Sequence, residues 1–118
     1  MSQTGLYAGI YEGLREYAEL VDKVLMQLKS EAGPTDIDQL TRLREFLEKI
    51  GSNTNTDVST RLIRLLLRDE CEVQLAEFAR IGKALSEGIS DSTVIEPLEK
   101  LALALEHEQA GVMARMRE

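Results

Sequence analysis

The feature that most constrains the fold of this chain is a row of apolar residues near its start, spaced alternately by three and four positions. The row consists of Tyr7, Ile10, Leu14, Tyr17, Val21, Val24 and Leu28. Residues at this spacing lie on one face of an α-helix, and the alternation is the seam spacing of a coiled coil. It predicts a first helix over residues 5–32, which ends at Gly33 and Pro34 because proline cannot continue a helix.

Three further segments have helical periodicity, and they predict helices over residues 36–50, 57–88 and 93–117. The second follows a capping residue, Thr35, and the fourth begins at Thr93 with Glu96 completing a capping box. We interpret 57–88 as one long helix whose buried face rotates partway along. The alternative is a kink or break in the polar segment near 69–72.

The residues expected to be buried recur along each of these helices. In the second helix they are Ile37, Leu40, Leu43, Leu47 and Ile50. In the third they are Val58, Leu62, Leu65, Leu66, Cys71, Leu75, Phe78, Leu85 and Ile89. In the fourth they are Val94, Leu98, Leu101, Leu105, Val112 and Met116, and we also interpret Met26 and Met113 as core residues. Four helices with short loops predict an all-α fold, a single antiparallel four-helix bundle of up-down-up-down order forming one domain over 1–118.

The charge balance of the chain restricts its partners. Twenty-one acidic residues against 14 basic ones give a net charge of −7, and both halves share the acidic excess. Because binding to a phosphate backbone requires clustered Lys and Arg, nucleic acid is disfavoured as a partner. An acidic surface instead suits a basic protein partner.

The location of the protein is predicted from what the chain lacks. Cys71 is the only cysteine, so no internal disulfide can form, and no signal-like apolar segment follows a basic start. The apolar runs are much shorter than the roughly 20 residues that span a bilayer. We therefore expect a cytoplasmic protein without a membrane partner, a cofactor or a small-molecule substrate.

Three glycines repeat every fourth residue at the start of the first helix, at Gly5, Gly9 and Gly13, with Leu6, Ile10 and Leu14 beside them and Tyr7 and Tyr11 beyond. Each glycine in a helix costs about 0.8–1 kcal/mol relative to alanine. The cost is small if the first turns fray; otherwise a second helix is expected to lie against the strip, since glycine permits close backbone approach.

The predicted outer face of the last helix is also apolar. Leu103, Ala104, Ala110 and Gly111 surround His107 on the side opposite the expected core. A helix that is apolar on two sides needs a second neighbour. We therefore predict a contact surface that includes Leu103, His107 and Gly111, and a two-fold homodimer through one or both surfaces.

His107 supports an alternative function. An exposed histidine followed four residues later by Gly111, on an acidic helical domain of this size, resembles histidine phosphotransfer domains. The resemblance implies that His107 would carry the phosphoryl group. Two features depart from that family's pattern: Ala110 stands where those domains have a lysine, and the histidine lies on the last helix.

Two charged rows complete the candidate sites. Arg61, Arg64 and Arg68 lie on one side of the third helix, where they pair with acidic neighbours or bind an anion or an acidic partner, because guanidinium groups recognise carboxylates and phosphates. An acidic row on the first helix comprises Glu12, Glu16, Glu19 and Asp22. This row is interpreted as a solvated face, with a carboxylate-bound Mg²⁺ enzyme as the alternative.

These observations predict a small helical-bundle module for protein–protein interaction, an adaptor, chaperone-like or regulatory protein, and not an enzyme. Its expected partner is another protein or a second copy of the chain. The expected contact residues are Gly5, Tyr7, Gly9, Tyr11, Gly13, Leu103, His107 and Gly111. No catalytic or metal-ligating residue is predicted.

Overall fold

The architecture is entirely helical in the part of the chain that the structure, a computed structural model, describes: residues 2–30, 36–51, 58–70 and 75–117. These ranges contain five helices and no strand. The helices are α1 (Ser2–Lys29), α2 (Ile37–Gly51), α3 (Val58–Glu70), α4 (Ala76–Ser86) and α5 (Ser92–Met116). The all-α class predicted from the sequence is therefore confirmed, while four helices were expected.

Helices α1 and α5 form the most extensive pair, and their buried rows agree with the predicted ones. Ile10, Leu14, Val21, Val24 and Leu28 are buried in α1, and Tyr7 and Tyr17 are partly buried against the same core. On α5 the buried residues include Val94, Leu98, Leu101, Leu105 and Val112. Lys29 near the end of α1 forms an ion pair with Glu99 near the start of α5, with 3.1 Å between Nζ and Oε2.

Helices α2 and α4 pack closely through two glycines. A β-carbon added at Gly82 of α4 would lie 3.5 Å from the Arg44 carbonyl oxygen and from Leu47 Cβ of α2. At Gly51, the last residue of α2, the same atom would lie 2.6 Å from the backbone nitrogen of Ala79. The two helices therefore approach each other along their length, and they approach most closely at the end of α2.

The single helix predicted over 57–88 is wrong, because two helices, α3 and α4, occupy this part of the chain. Their main contacts differ: Ile63 of α3 lies against Gly13 of α1, whereas α4 packs mainly against α2. Residues 71–74, with the predicted core residue Cys71, lie outside the described residues.

Several residues expected in the core are exposed. Ile37 at the start of α2 is 73% exposed and Leu65 of α3 is 52% exposed. Met26 on α1 is 75% exposed, and Met116 is exposed at the end of α5. Each lies off the buried face of its helix. The prediction for Ala104 is wrong in the opposite direction: Ala104 was expected on the outer face of the last helix, and it is buried.

The ends of the helices also differ from the predicted ones. The first helix ends at Lys29 rather than at residue 32, and Gly33, Pro34 and the predicted cap Thr35 lie outside the described residues. Asp36 caps α2, because its Oδ1 accepts a hydrogen bond of 3.0 Å from the backbone N–H of Gln39. Gly88, with φ of 83°, follows α4 in the left-handed conformation that favours glycine after a helix.

The cap of α5 is Asp91 and not the predicted Thr93. Asp91 Oδ1 accepts hydrogen bonds from the backbone N–H of Thr93, at 3.0 Å, and from the Thr93 hydroxyl. A carboxylate at this position satisfies an N–H group that has no partner within the helix. Thr93 lies one residue inside the helix, which begins at Ser92.

We expect Asp91→Ala to lower the free energy of unfolding by about 1 kcal/mol, because the free N–H groups of the first turn lose their acceptor. Asp91→Asn keeps a side-chain oxygen and serves as the matched control. Urea unfolding followed by circular dichroism measures both. Equal losses in the two variants would contradict the capping role.

None of the described helices combines the length and apolar character needed to cross a membrane.

Candidate functional site

The glycine strip, which we define as Gly5, Gly9 and Gly13, lies on a formed helix, because α1 begins at Ser2. Among the described residues, a β-carbon added at Gly5 or Gly9 would have no neighbour within 4 Å, and both glycines are exposed. At Gly13 the added atom would lie 3.0 Å from Ile63 Cδ1. The strip is therefore covered by α3 at one end and open for its first two glycines.

Tyr7 and Tyr11, which were predicted to form a contact surface together with the strip, pack against the protein's own core. Both side chains are partly buried. Because a step of two residues turns a helix by about 200°, Tyr7 and Tyr11 lie on the side of α1 away from Gly9 and pack against the core. Gly5 and Gly9 form the accessible part of this predicted contact surface.

The outer face of α5 contains the second predicted contact surface. Leu103 is 68% exposed, and His107 and Gly111 are exposed one and two turns further along the helix. A β-carbon at Gly111 would meet no other described residue within 4 Å. With Ala104 in the core, the apolar part of this face is narrower than the sequence indicated.

The three arginines of α3 have different environments. Arg64 is partly buried, and its Nε donates a 2.9 Å hydrogen bond to the carbonyl oxygen of Ile50 in the last turn of α2. A cation at the C-terminal end of a helix satisfies a free carbonyl and complements the helix dipole. Arg61 and Arg68 are exposed. Arg64 therefore links α3 to the end of α2.

A basic residue, Arg15, lies within the acidic row of α1. Arg15 forms ion pairs with Glu12 at 2.6 Å and with Glu19 at 3.1 Å. The hydrogen bond that Arg15 donates to Glu12 and the charges of both carboxylates raise the pKa of Arg15 above its ordinary value. Among the described residues, no three His, Cys, Asp or Glu side chains are grouped so as to hold a metal ion.

A groove between α1 and α5, which the sequence did not indicate, has an apolar floor and a charged rim. Its volume is about 510 Å³. Its four apolar lining residues, called the floor below, are Leu25 and Met26 of α1 and Ala102 and Leu103 of α5. Its four charged lining residues, called the rim, are Asp22, Lys29, Glu99 and Glu106. Leu25 and Ala102 are buried, whereas Met26 and Leu103 are largely exposed.

This groove, called the α1/α5 groove below, brings together Leu103, which was predicted as a contact residue, and Met26, which was predicted to be core. It does not include the glycine strip. The groove residues on α1 begin at Asp22, nine residues beyond Gly13, which corresponds to about 13 Å along a helix. The glycine strip and the α1/α5 groove are therefore separate along α1.

Comparison with known proteins returned no match: no family model, no curated protein and no solved structure is similar to this chain.

Proposed function

We propose that this protein is a small helical-bundle module for protein–protein interaction, and that it associates with a second copy of itself through the glycine strip. The observation that carries this proposal is the open surface at Gly5 and Gly9 on a helix that is formed from Ser2. These two glycines cost roughly 2 kcal/mol relative to alanine. No contact among the described residues uses the space that they leave.

A strip without side chains lets the backbone of another helix approach closely, and such contacts gain dispersion energy over a long line of atoms. A two-fold axis close to the strip would place Gly5 and Gly9 of one copy against the same residues of the other. The contact in the dimer would then offset part of the free energy that the glycines cost in the isolated helix.

We also propose that the bundle is antiparallel, with α3 and α4 together in the position of a third helix. Two sets of contacts support this arrangement. Lys29 pairs with Glu99, and Asp22 shares a groove with Glu106, so residue numbers rise along α1 as they fall along α5. Between α2 and α4 the same relation joins Leu47 with Gly82 and Gly51 with Ala79.

Gly9→Leu tests the proposed self-association, because a leucine side chain would separate the two backbones. We expect it to weaken the dimer at least about tenfold, as the loss of a central contact does. Sedimentation equilibrium over a range of protein concentrations measures this change. Lys49→Leu, at an exposed position of α2, adds the same side chain away from the strip and is expected to leave the dimer intact.

Two results would contradict the proposal. The wild-type protein could be monomeric at every concentration, in which case there is no self-association to explain. Alternatively, Gly9→Leu could dimerise as tightly as the wild type, which would place the contact elsewhere. Circular dichroism should give equal helicity for all variants, because a side chain at Gly9 has room in the monomer.

A further inference from the structure

The α1/α5 groove exposes two large apolar side chains next to each other on one face of the protein. Met26 is 75% exposed and Leu103 is 68% exposed, and each comes from a different helix. Most residues at core spacing on these helices are buried, such as Val24 and Leu28 of α1 and Leu98 and Leu105 of α5. Methionine is flexible and polarizable, and it occurs often on surfaces that adapt to a bound peptide.

The charge of the rim indicates which partner fits. Asp22, Glu99 and Glu106 are acidic, and Lys29 is the single basic residue in the lining. Because Lys29 is paired with Glu99, the carboxylates of Asp22 and Glu106 remain to interact with a bound molecule. An apolar floor between two such carboxylates suits a ligand with an apolar centre and basic flanks.

A second copy of the chain fits this groove poorly. In a two-fold contact the same patch meets itself, so the acidic rim of one copy would face the acidic rim of the other. Like charges placed opposite each other oppose association, and they do so most strongly at low salt. The net charge of −7 adds to this repulsion.

We propose that the α1/α5 groove binds a basic amphipathic helix of another protein. This inference rests on the proposed role as an interaction module, and it specifies the chemical character of the partner. The groove residues on α1 extend from Asp22 to Lys29, about 10 Å or two helical turns. That length accepts two or three apolar side chains spaced by three or four residues, and lysines or arginines beside them would reach Asp22 and Glu106.

The test uses a labelled peptide of about 18 residues, which forms a helix of about five turns, with leucine at helical spacing and lysine and alanine elsewhere. Fluorescence anisotropy measures its dissociation constant. We expect binding in the micromolar range that weakens about tenfold or more between about 50 and 500 mM salt, as a contact with several charge pairs does. A peptide of the same composition in shuffled order, and one with glutamate in place of lysine, should bind at least about tenfold more weakly.

Variants of the protein locate the site. Met26→Ser combined with Leu103→Ser should raise the dissociation constant at least about tenfold, because it removes both exposed anchors. Ile37→Ser, at an equally exposed apolar residue on α2, is the matched control and should change it less than about twofold. Glu106→Lys should weaken binding at low salt, whereas Glu48→Lys on α2 should not.

Three results of the peptide titrations would overturn the inference: no binding of the basic peptide, equal binding of the acidic peptide, or equal binding by the double variant. A fourth result, loss of a dimer in the double variant, would assign the groove to a second copy and would overturn it too. Gly9→Leu should still bind the peptide. If the peptide does not bind but the protein self-associates through the glycine strip, only the groove inference is lost. If the protein neither binds the peptide nor self-associates, the proposed function is lost as well.

Discussion

Replacement of Phe46 by alanine is expected to lower the free energy of unfolding by about 3–5 kcal/mol. Phe46 is 1% exposed, and its ring stacks on that of Tyr17 in α1, with the centroids 3.8 Å apart and the planes 10° from parallel. The substitution removes a large buried side chain, leaves a cavity, and loses an aromatic contact worth about 0.5–1.5 kcal/mol beyond the buried area. Because small domains are stable by only about 5–15 kcal/mol, this loss is a large fraction of the total stability.

Urea unfolding followed by circular dichroism at 222 nm, the usual α-helical signal, measures this loss. Phe46→Leu keeps most of the apolar volume and should cost about 1.5 kcal/mol or less, so it remains measurable if the alanine variant does not fold. Leu65→Ala is the control at an exposed apolar residue, and it should change the stability by no more than about 0.5 kcal/mol. Similar losses for Phe46→Ala and Leu65→Ala would contradict the burial of Phe46.

The sequence row predicted for α2 omitted Phe46 and included Ile37, and helix geometry explains both errors. Two successive steps of three residues, from Ile37 to Leu40 and from Leu40 to Leu43, turn the row by about 120° in total. Ile37 therefore lies well away from Leu43, at the start of the helix. Phe46 lies about 60° from Leu43 and remains on the buried face. In α1 and α5 steps of three and four largely alternate, and there the predicted rows are buried or partly buried except at Met116.

Helix α3 could not be oriented from its sequence because apolar residues occur on most of its sides. Between Arg61 and Arg68 only Arg64 is not apolar, so several choices of buried face fit the pattern equally well. The structure buries Ile63 and Leu67 and exposes Leu65. The deciding factor is the position of Gly13, which makes room for Ile63 on α1. This contact joins residues far apart in the sequence, and local periodicity contains no information about it.

The glycine strip and the α1/α5 groove also differ in whether local sequence could predict them. The glycine strip was visible in the sequence, because its spacing is a property of one helix. The α1/α5 groove depends on which residue of α5 lies beside which residue of α1, and that register is set by the packing of the whole bundle. Sequence reasoning found Leu103 as an apolar residue on an outer face, but it placed Met26 in the core because Met26 lies near the predicted seam of the first helix.

Gly51→Ala is expected to lower the free energy of unfolding by about 1–3 kcal/mol, the usual cost of an added group in a filled contact. The new β-carbon would lie 2.6 Å from the backbone nitrogen of Ala79 and 3.1 Å from the carbonyl oxygen of Leu75. Backbone atoms cannot turn aside as the end of a side chain can, so α2 and α4 would have to separate. The separation would also disturb the last turn of α2, where Ile50 accepts the hydrogen bond from Arg64.

Gly82→Ala is the matched control, because it adds the same methyl group to the same pair of helices. At Gly82 the β-carbon would be 3.5 Å from the Arg44 carbonyl oxygen and from Leu47 Cβ, which is an ordinary van der Waals distance. Alanine also favours the interior of a helix by about 0.8–1 kcal/mol over glycine. We therefore expect Gly82→Ala to be neutral or to stabilise the protein by up to about 1 kcal/mol. Opposite signs for the two substitutions in urea unfolding would mean that α2 and α4 approach most closely at the end of α2, and equal losses would contradict that geometry.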